Sequence, residues 1–245
     1  MTATTEECLY YATIELPDGV HQGIWDCREV VDVYLGHVDF SGKTVLEVGP
    51  ANGYFTFEME RRGGILTCLD LGQEGRWDLV PGPRIDHAAL EPAARLTLAR
   101  IEAAFWHGHA ATGSQARMVY GSVYDAPELV EKSQIGILSN VLQHLRDPIG
   151  GLMALADRTT ETIIVTESMW IDDPVMESHA VMQLIPRAHL PEISQSWFQV
   201  SMPLVGEALA MLGFENLRCE FHWPEFHDKG STRRVKHMTW VGQRP

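Results

Sequence analysis

The chain has 245 residues, 45% of them hydrophobic and 21% charged, enough to bury a sizeable core without disulfide or metal staples. Its formal net charge is −14, whereas gripping a polynucleotide requires Lys and Arg gathered on one face. The one dense basic cluster is Arg233-Arg234-Lys236, so a small molecule is expected as partner and a nucleic acid is not. No run approaches the roughly 18 apolar residues of a membrane helix, and the start "MTATTEECLYYATIELPDG" has neither a basic nor an apolar leader region. The four cysteines, Cys8, Cys27, Cys68 and Cys219, include no C-x-x-C pair, against a disulfide or zinc framework. A single domain over residues 1–245 is expected, cytoplasmic, with no membrane partner; a homodimer is left open.

In chain order, apolar runs bounded by turn residues predict strands at "KTVLEVG", "GILTCLD", "ARMVYGSVY", "IGILSNV", "TIIVTES", "NLRCEFHW" and "KHMTWVGQ". Helical stretches fall between them: "YFTFEMERRG" after the first strand, "ELVEKS" after the third and "DPIGGLMALADRT" after the fourth. This alternation predicts a parallel sheet with covering helices. The last two strands are separated only by "PEFHDKGSTRR", a polar, turn-rich stretch with no room for a crossover helix, so they are expected to be antiparallel neighbours. Two insertions exceed a minimal alternating core. Residues 84–116 are Ala-rich, with Leu96, Ile101 and Phe105 as an apolar face. Residues 169–200 carry Met169, Trp170, Met176, Met182, Trp197 and Phe198 among prolines. Both follow strand carboxyl ends, where open α/β sheets bind ligands, and each reads either as extra packing or as a substrate lid.

The loop after the first strand, "VLEVGPANGYF", puts an acid and two glycines at a strand-to-helix turn. It lacks the Lys-Ser/Thr of a Walker loop and the glycine series of a dinucleotide fingerprint. Small residues there let the main chain approach a ligand closely, with Glu47 offering a carboxylate to a cationic or hydrogen-bonding group. The second strand ends in Asp70, placed to accept hydrogen bonds from a ribose diol.

"VLEVGPANGYF", "LTCLDLG", "YGSVYDAPEL" and "ILSNVLQHLRDP", in that order, resemble the class I S-adenosylmethionine-dependent methyltransferases. "GIWDCRE", "NGYFTFEMERRG" and "VLQHLRDPIGGL" narrow the likeness to the branch with wobble-uridine carboxymethyltransferase-like proteins and natural-product methyltransferases. The resemblance covers roughly residues 19 to 170. It implies an α/β fold: a Rossmann-like, seven-stranded, mostly parallel sheet with a C-terminal antiparallel hairpin, helices on both faces and helical insertions forming a lid. It implies a helical segment at residues 1–40 covering the cofactor, S-adenosylmethionine, with S-adenosylhomocysteine as product. Glu47 would lie near the methionine amino group, with Gly49, Ala51 and Gly53 lining methionine and ribose. Asp70 would take the ribose hydroxyls, Leu71 would pack on the adenine, and Ser122 and Val123 would flank that base. Asn140 would sit beside the methionine moiety, Gln143 would lie beside the cofactor, and Trp25 and Arg28 would close over it. Gln143 replaces an aromatic of many relatives and Ser122 an acid, which argues against carrying over an RNA-modifying activity.

Methyl transfer to oxygen or nitrogen requires an aligned acceptor, dry surroundings and, for a hydroxyl, a base. His144, just after the fourth strand, and His179, in the Met-rich insertion, are the candidate catalytic residues; for each a purely structural histidine is the alternative. Glu167 reads as a third base or as a strand terminus. Asp172 and Asp173 could help hold Mg²⁺, but adjacent acids before Pro174 more often form a solvated turn, and no metal ligand is assigned. The aromatic and methionine content of the second insertion, with His222, Trp223, Phe226 and His227, suits a flat organic acceptor or an ordinary core. The expected function is transfer of a methyl group from S-adenosylmethionine to an oxygen or nitrogen of a small-molecule acceptor of the secondary-metabolite kind; the alternatives are a non-methylating S-adenosylmethionine-binding enzyme of the same fold and a tRNA-modifying enzyme.

Overall fold

The computed structural model describes residues 7–72, 75, 77–80, 86–186, 195–228 and 230–245, with backbone alone for 87 and 89. Seven strands form the central sheet: β1 (Thr44–Val48), β2 (Ile65–Asp70), β3 (Arg117–Tyr120), β4 (Ser133–Ser139), β5 (Thr159–Ser168), β6 (Glu215–His222) and β7 (His237–Gln243). Their order is β6-β7-β5-β4-β1-β2-β3. β1 to β5 run parallel, and β7 lies antiparallel to both β5 and β6. The central strands are apolar on both faces because both are covered: Val45 to Val48 are buried without a break.

Alternation along the strands splits the core into two layers. Leu46, Val48 and Leu138 pack with Leu152 and Leu155 of α3 (Pro148–Arg158) and Val205 and Leu209 of α4 (Met202–Met211). Val45, Ile135 and Ile137 pack with Phe57 and Met59 of α1 (Tyr54–Arg61) and Ala104 and Phe105 of α2 (His87–Thr112). Caps fix where helices begin: Asp147 accepts from the Gly150 amide and Ser201 from the Leu204 amide, each followed by a proline in the first turn. The expected seven-stranded fold is observed.

Local expectations fail where chain segments are short or polar. Within the segment 1–40, of which residues 7–40 are described, strands and turns outweigh helix. The described residues hold the hairpin Ile14–Leu16/Gly19–His21, the short strand Trp25–Asp26 and two brief helical turns, Arg28–Val30 and Val31–Tyr34. "PEFHDKGSTRR" is itself a hairpin, Glu225–Asp228 with Ser231–Arg234, and its first strand pairs with Trp25–Asp26. The helix expected at "ELVEKS" is one turn, Ala126–Leu129, because Val130 is already extended and Ser133 starts β4. Of the apolar face expected in the first insertion, Phe105 is buried, Ile101 is half-buried and Leu96 is exposed; Ala104 completes the buried face of α2. The second insertion supplies a short hairpin, Met182–Leu184 with Phe198–Val200. Its residues 187–194, and residues 84–85 of the first, lie outside the described residues.

Close packing of α3 on the sheet rests on Gly136. A Cβ there would lie 2.0 Å from Thr159 Oγ1 and 2.9 Å from Leu155, and the Thr159 hydroxyl cannot swing away without losing its 2.8 Å bond to the Leu155 carbonyl. Gly136→Ala is expected to lower unfolding stability by about 1–3 kcal/mol through overpacking. An unchanged denaturant midpoint would show that β4 and α3 have room to part.

Candidate functional site

The chain leaves β1 through a loop that only small residues can follow. Gly49, Ala51 and Gly53 all have positive φ, at 72°, 50° and 83°. A Cβ on Gly49 would lie 2.6 Å from Val141, and one on Gly53 2.6 Å from Phe57 and 2.9 Å from Phe105. Ala51 has no such excuse, and its left-handed backbone costs about 1 kcal/mol. Its amide donates to the Asp70 carboxylate, which compensates the strain. The Leu71 amide also donates to Asp70, at 2.7 Å, so this acid stitches the loops after β1 and β2 together. Asn52, which the sequence reading passed over, is buried and grips the backbone of Ala12 from both sides: the Ala12 amide donates to Oδ1 at 2.7 Å, and Nδ2 donates to the Ala12 carbonyl at 3.0 Å.

Three acids gather beneath this loop. Glu47 is buried, accepts from the Thr56 hydroxyl at 2.5 Å, and has its pKa pushed up to about 7 by burial. Burial likewise raises Asp70 to about 6, with the charge of Glu102 adding to the effect. Glu102, on α2, accepts from the Tyr120 hydroxyl at 2.5 Å, while its other oxygen is buried with no hydrogen-bond partner among the described residues. Sequence reasoning missed it. The only signal was an acid inside the apolar stretch "ARIEAAFW".

The ends of β4 and β5 form the opposite wall. Asn140 adopts φ 54°, accepts from the Ser168 amide at 2.8 Å and donates to the Tyr34 hydroxyl at 3.1 Å. Glu167 accepts the Leu142 amide at 2.8 Å and those of Val141 and Gln143 besides, so it fixes the turn rather than ending a strand in solvent. Burial still lifts its pKa to about 8. Gln143 is buried, its side chain reaching the Ser168 hydroxyl at 3.4 Å and its carbonyl accepting the Trp197 amide at 2.7 Å. His144 places Nδ1 2.6 Å from the Gln195 carbonyl, and burial pushes its pKa down. The proton therefore sits on Nδ1 and the Nε2 lone pair is unprotonated at neutral pH. The second insertion thus lies directly on this turn; Trp197 Nε1 also donates to the Asp78 carbonyl at 2.5 Å. Ser122 caps the turn Val123–Asp125, and Val123 packs in the core.

Trp25 and Arg28 part company. Trp25 is buried in an aromatic layer, its ring centroid 4.7 Å from Phe226, 4.9 Å from His237 and 5.5 Å from Trp170. The layer meets the site through His237, whose Nε2 lies 3.3 Å from the Asn140 amide nitrogen. Arg28 is held by Asp26 through a paired contact at 2.6 and 2.9 Å. It lines a surface cavity of about 470 Å³ with Glu29, Trp223 and Glu225, and no residue of the glycine loop lines that cavity. His179 is exposed, with Nδ1 2.9 Å from its neighbour Ser178, and no described contact joins it to the site. Asp173 caps the turn that follows it by accepting the Val175 amide. Met169 and Met176 belong to the core, whereas Trp170 and Met182 are exposed.

Raised carboxylic acids and lowered histidines give stability a defined pH response. Buried His222 and His237 are lowered to about 3 and about 4, so the unfolded chain binds more protons there up to its own value near 6.5, and stability rises with pH over that range. Glu47 and Glu167, at about 7 and about 8 in the fold, act oppositely: their contribution is complete below the unfolded value near 4.5 and is lost as pH rises through the folded values. The two effects oppose each other below pH 6.5, and the acids act alone above it. Unfolding free energy is expected to fall between about pH 6.5 and 8, and Glu47→Gln should shrink that fall. A profile that is flat there, or unaltered by the substitution, would contradict the charge assignment.

No family model matches the chain. A tRNA U34 carboxymethyltransferase from Pseudomonas paraeruginosa (strain DSM 24068 / PA7) is 30% identical over 186 residues, 75% of this chain and 48% of that protein. A protein of the same name from Pseudomonas fluorescens (strain SBW25) is 24% identical over 184 residues, 75% and 49% of the two chains. The chain therefore spans about half the length of the curated relatives it matches. Among solved structures, the N-terminal domain of EvdMO1, crystallised in the presence of SAH and D-fucose, superposes with a TM-score of 0.60 at 17% identity, covering 98% of this chain and 93% of that one. Magnesium protoporphyrin IX methyltransferase (ChlM) from Synechocystis PCC 6803 with bound SAM gives 0.52 at 11%, covering 89% and 77%. These likenesses agree with the strand order and with the motifs that carried the resemblance: the chain has the class I S-adenosylmethionine-dependent methyltransferase fold.

Proposed function

We propose that the chain binds S-adenosylmethionine over the loop Gly49–Gly53 and transfers its methyl group to an oxygen or nitrogen of a ring-bearing small molecule, of the secondary-metabolite kind. The observation that carries the donor is the gathering of Glu47, Asp70 and Glu102 around a loop stripped of side chains. Buried acids without cations are costly unless a positively charged or hydroxyl-rich ligand meets them, and the partnerless oxygen of Glu102 fits such a group. Asp70 would hold the ribose hydroxyls, Leu71, Ser122 and Val123 the adenine, and Glu47, Asn140 and Gln143 the surroundings of the methionine. When bound, S-adenosylmethionine supplies a methyl group already activated by positively charged sulfur. The protein's own part is to orient the acceptor, exclude water and accept a proton.

His144 suits the last task, because its Nδ1–H is tied to a carbonyl and its Nε2 is free of a proton. Glu167 is occupied by three amides, and exposed His179 is left out of the reading. The segment 195–200, bonded to Gln143 and His144, serves as lid, and α2 as the side wall that brings Glu102. Trp170 and Phe226, packed on buried Trp25, offer flat apolar surface to an acceptor. The basic cluster has its own partners: Arg233 stacks 5.3 Å from both Trp170 and Phe226, Arg234 pairs with Glu29 at 3.0 Å, and Lys236 pairs with Glu177. That favours a small acceptor over tRNA.

Calorimetry should show S-adenosylmethionine affinity rising as pH rises through about 6, where Asp70 ionises. Asp70→Asn should weaken binding about tenfold and flatten that dependence; unaltered affinity would remove Asp70 from the ribose. His144→Ala should cut turnover about 100-fold or more with little change in donor binding, read by methyl incorporation over a panel of phenols, alcohols and amines. Turnover close to that of the unmodified protein across the pH range would eliminate the base assignment. Bulk tRNA in the same assay separates the acceptor classes: its methylation, or salt-sensitive binding to it, would replace the small-molecule reading. Product formed without release of S-adenosylhomocysteine would replace methyl transfer itself.

A further inference from the structure

Away from the loop, the N-terminal hairpin and α2 bring together three residues that no part of the proposed reaction uses. Asp18 stands in the hairpin turn, His21 ends its second strand and His107 comes from α2. His21 Nε2 lies 3.0 Å from Asp18 Oδ1, and His107 Nε2 lies 3.3 Å from Asp18 Oδ2. One donor atom from each of the three falls within 4.8 Å of the others. Ligands at about 2.0–2.1 Å from a tetrahedral Zn²⁺ stand about 3.3 Å apart, so the cluster needs only a small closing movement to coordinate one.

We propose that Asp18, His21 and His107 form a binding site for a divalent transition-metal ion, fitted to Zn²⁺, which fastens the N-terminal hairpin to α2.

The surroundings carry the assignment further. The Tyr10 hydroxyl lies 2.7 Å from His107 Nδ1. With Nε2 on the metal, Nδ1 keeps its proton and donates it to the phenol oxygen, the outer-shell bond that fixes ring orientation and tautomer in metal-binding histidines. The Tyr10 ring also stacks on His21, with centroids 4.6 Å apart and planes 21° apart. One aromatic residue therefore aligns both imidazoles. The two histidine side chains are each 15% exposed and that of Asp18 is 44% exposed, which leaves one side open for a water as fourth ligand. Two imidazoles and one carboxylate suit Zn²⁺ and disfavour Mg²⁺ and Ca²⁺, which take oxygen ligands. The sequence hid the site because its only local trace is the spacing Asp18-Gly-Val-His21, while His107 lies far along the chain.

The test uses the full chain without a polyhistidine tag, dialysed against ZnCl₂ and assayed for bound metal, with thermal unfolding followed in parallel. One Zn²⁺ per chain and a raised melting temperature are expected, both lost in His107→Ala and Asp18→Asn and both kept in His179→Ala. No bound zinc, or zinc retained in His107→Ala, would overturn the site. Should those variants fail to fold, Co²⁺ substitution of the unmodified protein still decides. Paramagnetically shifted ring N–H resonances from two histidines support the assignment, and any other number refutes it.

Discussion

One buried carboxamide holds the architecture of the site together. Asn52 presents Ala12 with a donor and an acceptor, as a neighbouring strand would, and both are shielded from water, where an unpaired backbone group costs about 1–3 kcal/mol. Its backbone belongs to the positive-φ loop after β1, so the loop and the N-terminal segment cannot move independently. From Ala12 the constraint passes onward: Thr13 donates to the Trp25 carbonyl and Trp25 to the Tyr11 carbonyl. Gly23 lies so near that a Cβ would stand 2.3 Å from the Ala12 backbone. Trp25 is thereby pressed onto Phe226 and His237. A single side-chain amide thus sets the distance between the loop and the aromatic layer.

The parts legible in the sequence were those governed by burial over several residues. The seven strands read clearly because central parallel strands are apolar without interruption, as in Val45 to Val48, and because glycine and acidic residues mark their ends. Where pairing depends on backbone alone, the pattern is silent. Ser231–Arg234 is exposed at every position, and Trp25–Asp26 is too short to show a period. Asn52 was unreadable for another reason: in "GPANG" it looks like a turn residue, and only the fold reveals the Ala12 backbone it holds. Glu167 was noticed for its position, but its role came from three amides supplied by a different strand's exit turn.

Those amides also separate two kinds of buried acid that look alike in sequence. Glu167 is surrounded by donors that belong to the protein, and ionised it would be a fixed cap. Glu47 has the Thr56 hydroxyl and a weak thiol from Cys68, and Glu102 has one oxygen with no partner among the described residues. The first arrangement is complete in itself, whereas the second is incomplete. Partial satisfaction of a buried polar group is the costlier state, and natural proteins keep it where a ligand supplies the remainder.

Charge couples these acids to one another and to the ligand they suit. Asp70 raises the proton affinity of Glu47, and Glu102 raises that of Asp70, so each acid makes the next harder to ionise. A neutral ligand would leave that mutual repulsion in place. A ligand bearing positive charge relieves it, and one with a vicinal diol gives Asp70 two donors at once. Recognition of the proposed donor at this loop would therefore be electrostatic as much as steric: the glycines open the approach, and the chain of acids would favour a positively charged ligand. Acceptor recognition in the proposed reaction would follow different physics, because the layer beyond Asn140 is built from aromatic rings, with the Arg233 guanidinium stacked on Trp170 and Phe226. On that reading its selectivity would be one of shape and ring stacking at Trp170 and Phe226, which pack on buried Trp25 and on the backbone clasp that holds it in place.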